Sequence, residues 1–135
     1  MKALRLDRRH YAVACLIWGI LLWVSASQPG SGQPQAIPGI DKVQHFFAYG
    51  IFAVLMAKAT YRHHNWGSMV VILMSVILFA VCDERYQASI PGRSSSLGDV
   101  VADTIGAAVG LAAVWLWQLF NDFQKRNSSN ESVIR

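Results

Sequence analysis

Four long apolar segments dominate this chain and restrict its fold more than any other feature. A helix that crosses a bilayer needs roughly 20 residues, and flanking residues bring each segment to that length. Only 15% of the 135 residues are charged, against about 25% in soluble domains. We therefore predict an all-α, polytopic membrane protein with four transmembrane helices. With their flanks, the segments cover about 10–27, 42–61, 66–84 and 98–121.

The distribution of lysine and arginine gives the expected orientation. Nine of the twelve basic residues lie in the N-terminal tail, the loop between the second and third segments, and the C-terminal tail. The other two loops hold only Lys42, Arg85 and Arg93. Because cytoplasmic segments carry the excess of basic residues, we expect both termini in the cytoplasm and the two sparse loops outside.

This arrangement leaves little chain for a separate soluble domain. We expect a basic cytoplasmic tail at 1–9, a four-helix membrane domain at 10–121 and a polar, frayed cytoplasmic tail at 122–135. The first segment has a second interpretation, a cleaved signal peptide, because its flank is basic and Val24-Ser25-Ala26 resembles a cleavage site. Its length and its two tryptophans favour an uncleaved helix.

Acidic residues gather at the segment ends that this orientation places outside. Ionisable groups are costly at the edge of lipid, so such a cluster indicates a functional site. Gln87 shares a helix face with Asp83 and Glu84 if the third helix continues past Cys82. Adjacent acids are disfavoured at a helix C-terminus, and Arg93 can neutralise them. Five of the eight acidic residues belong to the cluster: Asp41, Asp83, Glu84, Asp99 and Asp103.

Helical spacing places four of these polar residues at defined depths. Asp41 and His45 are four residues apart and share one helix face, and Asp99 and Asp103 repeat this spacing. Asp103 lies about 6 Å deeper than Asp99, at the 1.5 Å rise per residue. We therefore expect His45 and Asp103 at similar depth, with Asp103 facing the bundle interior.

Three motifs in this part of the chain are characteristic in combination. They are Asp41-Lys42-Val43-Gln44-His45-Phe46 with Tyr49; Asp83-Glu84 with Gln87; and Pro91-Gly92-Arg93 followed by Ser96, Asp99, Asp103, Gly106 and Gly110. Their order and spacing over about 40–112 resemble the VanZ-like family, small multi-helix bacterial membrane proteins named for a member linked to low-level teicoplanin resistance. The resemblance implies the bacterial cytoplasmic (inner) membrane and a class of phenotype rather than a reaction. One departure is Asp103, where the family usually has Asn.

Each motif also has a purely structural interpretation. Asp41 suits a helix start, with Lys42 extending to the headgroups. His45 can be a packing residue bonded to a neighbouring helix. Gly106 and Gly110 form a GxxxG pair, expected to pack closely against the small positions Gly50, Ala53 and Ala57.

Three functions are compatible with the cluster. The first is binding of a cell-envelope precursor, a lipid headgroup or a glycopeptide-type antibiotic at an outward-facing site, where Arg93 can hold a phosphate or carboxylate. The second is an intramembrane enzyme with His45, beside Asp41, as general base and Asp83 or Glu84 as acid. The third is a structural or assembly partner of envelope machinery. The expected binding residues are Asp41, Lys42, His45, Gln87, Arg93, Ser96, Asp99 and Asp103.

The sequence contains no cofactor motif, although carboxylates with one histidine suit a divalent cation such as Mg²⁺ or Mn²⁺. The expected partner is the lipid bilayer, with an envelope lipid or glycopeptide as ligand. Nucleic acid is not expected, because no basic stripe with interleaved aromatic residues is present.

Overall fold

The computed structural model describes residues 7–30, 39–60, 65–93 and 95–133. These residues form four α-helices and contain no strand, which confirms the all-α class. Three of the four helices begin and end within about four residues of their predicted bounds, but the fourth is longer. The helices are α1 (Arg8–Ala26), α2 (Ile40–Thr60), α3 (Trp66–Gln87) and α4 (Leu97–Val133).

Local sequence explains where the helices begin. Asn65 caps α3, because its side chain accepts a hydrogen bond from the Ser68 amide at 2.8 Å while the Ser68 hydroxyl accepts one from the Asn65 amide at 3.1 Å. Asp41 and Asp99 lie in the first turns of α2 and α4, where the helix dipole favours a carboxylate. The expected place of Asp41 at a helix start is confirmed.

Helix α4 extends beyond the predicted end. Its 37 residues correspond to about 55 Å, well over the roughly 30 Å of a bilayer core. The expectation of a frayed tail is wrong for residues 122–133, which continue the helix. The physical reason lies in the segment from Phe123 to Arg126, since Gln, Lys and Arg are good helix formers and no Gly or Pro follows.

Three of the helices are long and apolar enough to cross a membrane: Arg8–Ala26, Trp66–Gln87 and Leu97–Ser129. Helix α2 has sufficient length at 21 residues but is not one of these three, and Gln44, His45 and Lys58 interrupt its apolar residues. Like α3, it contacts all three other helices. His45 and Tyr49 of α2 are bonded to side chains of α4 and α3.

Helices α2 and α4 approach each other along a seam of glycines. A Cβ atom placed on Gly50 would lie 3.1 Å from the carbonyl oxygen of Gly106, and one placed on Gly106 would collide with the Phe46 carbonyl. A Cβ atom on Gly110 would lie 2.5 Å from the Gly50 carbonyl oxygen. The expected packing of the GxxxG pair against Gly50 is confirmed, and Ala53 and Ala57 are fully buried nearby.

The C-terminal ends of α1 and α3 and the N-terminal ends of α2 and α4 meet at one end of the bundle, which we call the polar end. The amide of Gly30, after α1, donates to the Pro91 carbonyl, after α3, at 3.1 Å. Lys42 on α2 lies 3.2 Å from a carboxylate oxygen of Asp99 on α4. The two loops that the sequence assigned to one side of the membrane are therefore on the same side of the bundle.

Candidate functional site

The polar end brings together every site residue that was predicted from the sequence. Five of these side chains are also buried, from Asp103 at 1% exposed to Asp99 at 6%. A buried polar group is costly unless it is hydrogen-bonded, so the partners of these side chains determine what the site can do. The predicted residues are Asp41, Lys42, His45, Asp83, Glu84, Gln87, Arg93, Ser96, Asp99 and Asp103.

His45 on α2 is paired with Asp103 on α4, and the two atoms His45 Nδ1 and Asp103 Oδ1 are 2.9 Å apart. The expectation that these residues lie at similar depth is confirmed. The sequence spacing had instead placed Asp41 beside His45, but the structure pairs Asp41 with Lys42. The His45 ring lies nearly parallel to the Tyr49 ring, one turn deeper on α2.

Lys42 bridges two carboxylates of the polar end. Its Nζ atom lies 3.2 Å from an oxygen of Asp41 and 3.2 Å from an oxygen of Asp99. The Lys42 side chain is 46% exposed, so solvent and headgroups screen these ion pairs. Lys42 thus joins α2 to α4, a contact that neither its expected place among the binding residues nor its structural interpretation at the headgroups had specified.

Asp83 accepts two hydrogen bonds on one oxygen. The Tyr49 hydroxyl donates to Asp83 Oδ2 at 2.9 Å, and the Gln87 amide nitrogen donates to the same atom at 3.2 Å. The other oxygen, Oδ1, is buried and has no hydrogen-bond donor among the described residues. Asp83 itself is 4% exposed, so this acceptor is held inside the protein.

Arg93 acts as a clamp between the ends of α1 and α3. Its guanidinium donates to the carbonyl of Ser25 at 2.6 Å, to the carbonyl of Gln28 at 3.2 Å and to the side-chain oxygen of Gln87 at 2.9 Å. These bonds use three of the five guanidinium N–H groups. The other two N–H groups of Arg93 have no acceptor among the residues that the structure describes.

Glu84 connects the end of α3 to the start of α4. One carboxylate oxygen accepts a hydrogen bond from the Ser96 amide, and the Ser96 hydroxyl accepts one from the Gly98 amide at 3.2 Å. The second oxygen of Glu84, Oε2, is buried without a donor in the described parts of the chain. Asp83 and Glu84 thus each retain one unused acceptor.

A cavity of about 150 Å³ lies beside this network, between α1, α2 and α3. Of the predicted site residues, four line it, whereas the Lys42 bridge and the Glu84–Ser96 contact lie outside its wall. The sequence singled out neither Tyr49 nor Ser25 as site residues. The spacing of Tyr49 four residues after His45 was a usable signal, but Ser25 contributes to the Arg93 clamp through a backbone carbonyl, which no sequence pattern reveals. The lining residues are Leu22, Ser25, Ala26, Gln44, His45, Ala48, Tyr49, Asp83, Gln87 and Arg93.

The described residues do not fit a divalent cation. Across 7–30, 39–60, 65–93 and 95–133, no group of three or more His, Cys, Asp or Glu side chains is arranged to hold a metal ion. The carboxylates instead contact separate partners. Lys42 contacts those of Asp41 and Asp99, His45 contacts that of Asp103, and Tyr49 contacts that of Asp83. Binding of a divalent cation remains a prediction from the sequence alone.

Comparison with known proteins gives one match. No curated protein and no solved structure matches the chain. A family model described as VanZ/LLP1 matches residues 11–120, which include all four apolar segments and every residue of the polar end. Since that model covers most of the chain, the protein belongs to the VanZ/LLP1 family.

Proposed function

We propose that the protein spans the bacterial cytoplasmic membrane four times, with both termini in the cytoplasm and the polar end facing outward. Three apolar helices support this placement, and α2 packs among them with His45 and Tyr49 bonded to side chains of α4 and α3. The far end of the bundle is basic, as cytoplasmic ends are. Its described basic residues are Arg8, Arg9, Lys58, Lys125 and Arg126.

We propose further that the polar end binds the head of a cell-envelope amphiphile: a lipid-linked wall precursor, a lipid headgroup or a glycopeptide antibiotic. One observation carries this proposal: the buried Asp83 side chain lines the cavity, and its Oδ1 atom accepts no hydrogen bond from a described residue. An unsatisfied buried acceptor costs about 1–3 kcal/mol. A ligand that brings an N–H or O–H donor removes that cost.

The charges of the polar end favour the same kind of ligand. Five carboxylates lie there with three basic side chains, Lys42, Arg85 and Arg93. Lys42 already contacts two carboxylates, and Arg93 donates mainly to carbonyl oxygens. Acceptors are therefore in excess, and the site suits a hydroxyl-bearing or amine-bearing head better than a purely anionic one.

The cavity volume limits how much of a ligand it holds. Pockets for drug-sized ligands are about 300–1,000 Å³, and the cavity at the polar end is about 150 Å³. An apolar cavity of about that volume accommodates benzene in another protein. The cavity therefore suits a terminal group of a few atoms, with the rest of the amphiphile lying outside it.

An isosteric substitution tests the binding role. Native mass spectrometry from mild detergent is expected to show an envelope lipid bound to the wild-type protein and lost from Asp83→Asn. The amide of the variant can still accept from Tyr49 and Gln87, but its NH₂ group replaces the acceptor Oδ1. Asp122→Asn, on α4 far from the polar end, is the matched control. Wild-type protein that carries no envelope lipid, or equal binding by Asp83→Asn, contradicts the proposal.

A phenotype adds an independent measurement. Expression of the protein is expected to change cellular sensitivity to lipid-anchored glycopeptides, and Asp83→Asn is expected to abolish the change at normal protein abundance. Unchanged sensitivity upon expression removes the glycopeptide from the set of proposed ligands.

A structural or assembly role is the second candidate, because the network joins different helices. His45 links α2 to α4, Tyr49 links α2 to α3, and Arg93 links α3 to the end of α1. In that case Asp99→Asn and Arg93→Ala reduce protein abundance in proportion to any loss of phenotype. Normal abundance with a lost phenotype excludes a purely structural role.

The enzyme alternative is supported by the environment of His45. Asp103 fixes one ring nitrogen, Nδ1, as a carboxylate does for a general base, and the ring lines the cavity. Asp83 and Glu84 are the candidate acids. An undiminished phenotype in the double variant His45→Ala/Glu84→Gln rules this version out.

A further inference from the structure

An apolar groove of about 710 Å³ lies between α1, α2 and α3, deeper in the bundle than the cavity of the polar end. Its walls are formed by hydrocarbon and aromatic side chains, and several of the α1 residues along it are open to the outside, such as Leu16 at 66% exposed. The residues that line the groove include Cys15, Gly19, Trp23, Phe52, Met56 and Phe79.

The groove and the cavity are lined by neighbouring residues of the same three helices. On α2, His45 and Tyr49 line the cavity, and Phe52 and Met56 line the groove at the next helical spacings. Helix α3 repeats this order, whereas on α1 the two linings overlap, since Trp23 and Val24 of the groove lie level with Leu22 of the cavity. On α3 these residues are Gln87, Asp83, Phe79 and Ser75.

Tyr49 forms the junction between the two spaces. Its hydroxyl group donates to Asp83 on the cavity side. Its ring contacts Phe52 and Phe79, whose own rings are 5.1 Å apart at their centroids. One side chain thus marks the boundary between a polar wall and an apolar wall.

Trp23 and Gly19 determine the shape of the α1 wall of the groove. The Trp23 ring stacks on Tyr86 of α3, with centroids 4.6 Å apart and planes 17° apart. Gly19 leaves room beside Phe52, since a Cβ atom there would lie 3.4 Å from that ring. Along α1 the groove runs from Ala12 to Val24, about 18 Å at 1.5 Å per residue. One leaflet of the bilayer core is about 15 Å deep, so the groove has the length of a lipid chain.

From this order along three helices we propose that the ligand is a zwitterionic aminophospholipid, with its ammonium group at the Asp83 carboxylate, its phosphate at the Arg93 guanidinium, and one hydrocarbon chain in the groove. This inference rests on the proposed binding function and names the class of ligand. Asp83 and Arg93 both line the cavity, so one small head reaches both. The excess of carboxylates at the polar end favours an ammonium group over a neutral hydroxyl.

Two phospholipids whose heads differ in their N–H donors test the proposed position of the ammonium group. Phosphatidylethanolamine presents three N–H donors, and phosphatidylcholine carries methyl groups in their place. In nanodiscs that contain both, wild-type protein is expected to retain phosphatidylethanolamine at least tenfold over phosphatidylcholine in native mass spectrometry. Equal retention of the two lipids overturns the assignment of the head.

Photolabelling tests whether a hydrocarbon chain of the lipid lies in the groove. A phosphatidylethanolamine with a diazirine on its acyl chain is expected to label the groove segments of α1, α2 and α3, and Gly19→Leu is expected to reduce this labelling at least fivefold. The control Ala112→Leu adds the same side chain to a different apolar groove, lined by Trp66, Leu73 and Trp115. Even labelling of both grooves, or labelling that Gly19→Leu leaves unchanged, overturns the placement of the chain.

Cys15 provides a measurement that leaves the groove intact. The chain has two cysteines, both free, so Cys82→Ser makes Cys15 the sole reporter. Its reaction with a small maleimide is expected to slow at least fivefold when phosphatidylethanolamine is added to detergent-purified protein, and this measurement does not require Gly19→Leu to fold. An unchanged rate contradicts occupation of the groove.

The two proposals fail in different ways. Loss of lipid binding in Asp83→Asn with normal labelling in Gly19→Leu leaves the binding function standing and removes the chain from the groove. Loss of labelling in Gly19→Leu with full binding by Asp83→Asn removes the head from the cavity and contradicts the proposed function.

Discussion

The imidazole of His45 and the carboxylate of Asp103 face each other across the seam between α2 and α4, with 2.9 Å between Nδ1 and Oδ1. The Asp103 side chain is 2% exposed and that of His45 is 16% exposed. Asp103 therefore depends on His45 to satisfy its polar atoms. This pair couples the two helices that approach most closely, at the level where the cavity begins.

Removing both members of this pair is expected to cost less than the two single losses added together. His45→Ala leaves Asp103 buried without its partner, which costs about 3 kcal/mol of unfolding free energy. The double variant His45→Ala/Asp103→Ala is expected to lose less than the sum of the single variants, because each residue acts through the other. Unfolding in detergent micelles measures these values, with the exposed His10→Ala as control. Additive losses contradict direct coupling.

The glycine seam predicts opposite effects of the same substitution at two positions. Gly106→Ala is expected to destabilise the protein by about 1–3 kcal/mol, since the added Cβ atom meets the Phe46 carbonyl and forces α2 and α4 apart. Gly67→Ala is expected to stabilise it by about 0.5–1 kcal/mol, because its nearest neighbour is the Asn65 side chain at 3.5 Å and alanine favours helix. Thermal unfolding of both variants measures the difference. A tolerated alanine at position 106 would show that the seam opens easily.

The same substitution, arginine to lysine, is expected to have different effects on stability at positions 93 and 85. Arg93→Lys is expected to cost about 2 kcal/mol, because lysine cannot reproduce a planar set of three hydrogen bonds to Ser25, Gln28 and Gln87. Arg85→Lys, at an exposed position, is expected to stay within about 0.5 kcal/mol.

The local effect of Arg93→Lys is measured by hydrogen exchange. The amide of Gly30 donates to the Pro91 carbonyl beside Arg93, so its exchange is expected to accelerate in Arg93→Lys and not in Arg85→Lys. Equal exchange in both variants indicates that the clamp does not hold the two loops together.

The proposed orientation predicts the accessibility of two exposed serines. Ser89 follows α3 at the polar end, and Ser129 lies on the far part of α4. In a background with Cys15→Ser and Cys82→Ser, an impermeant maleimide is expected to label Ser89→Cys in intact cells and Ser129→Cys only after lysis. The reverse pattern indicates the opposite orientation in the membrane, and labelling of both positions in intact cells contradicts a membrane crossing by α4.

Part of this architecture follows from counting residues. The lengths of the apolar segments fix the number of helices and their approximate ends, and the rise per residue is enough to place His45 level with Asp103. The same reasoning correctly joined Gln87 to Asp83 through their spacing of four. Local periodicity determines these features, so the sequence reveals them.

Other features depend on contacts between distant backbones. Arg93 was expected to neutralise acids or hold an anion, but three of its donors go to the Ser25 and Gln28 carbonyls and to Gln87. The choice of Asp103 over Asp41 as the partner of His45 depends on how closely α2 and α4 approach, which the glycine seam sets. The length of α4 was missed because polarity beyond residue 121 was interpreted as fraying, although those residues favour helix.

The distribution of the polar partners along the chain has a consequence for biosynthesis. Lys42 and His45 enter the membrane with the second helix, but their carboxylate partners Asp99 and Asp103 belong to the fourth, which leaves the ribosome last. A nascent chain halted before α4 would hold His45 without its carboxylate partner and Lys42 with Asp41 but without Asp99. Synthesis of the final helix therefore supplies the contacts that complete the polar end.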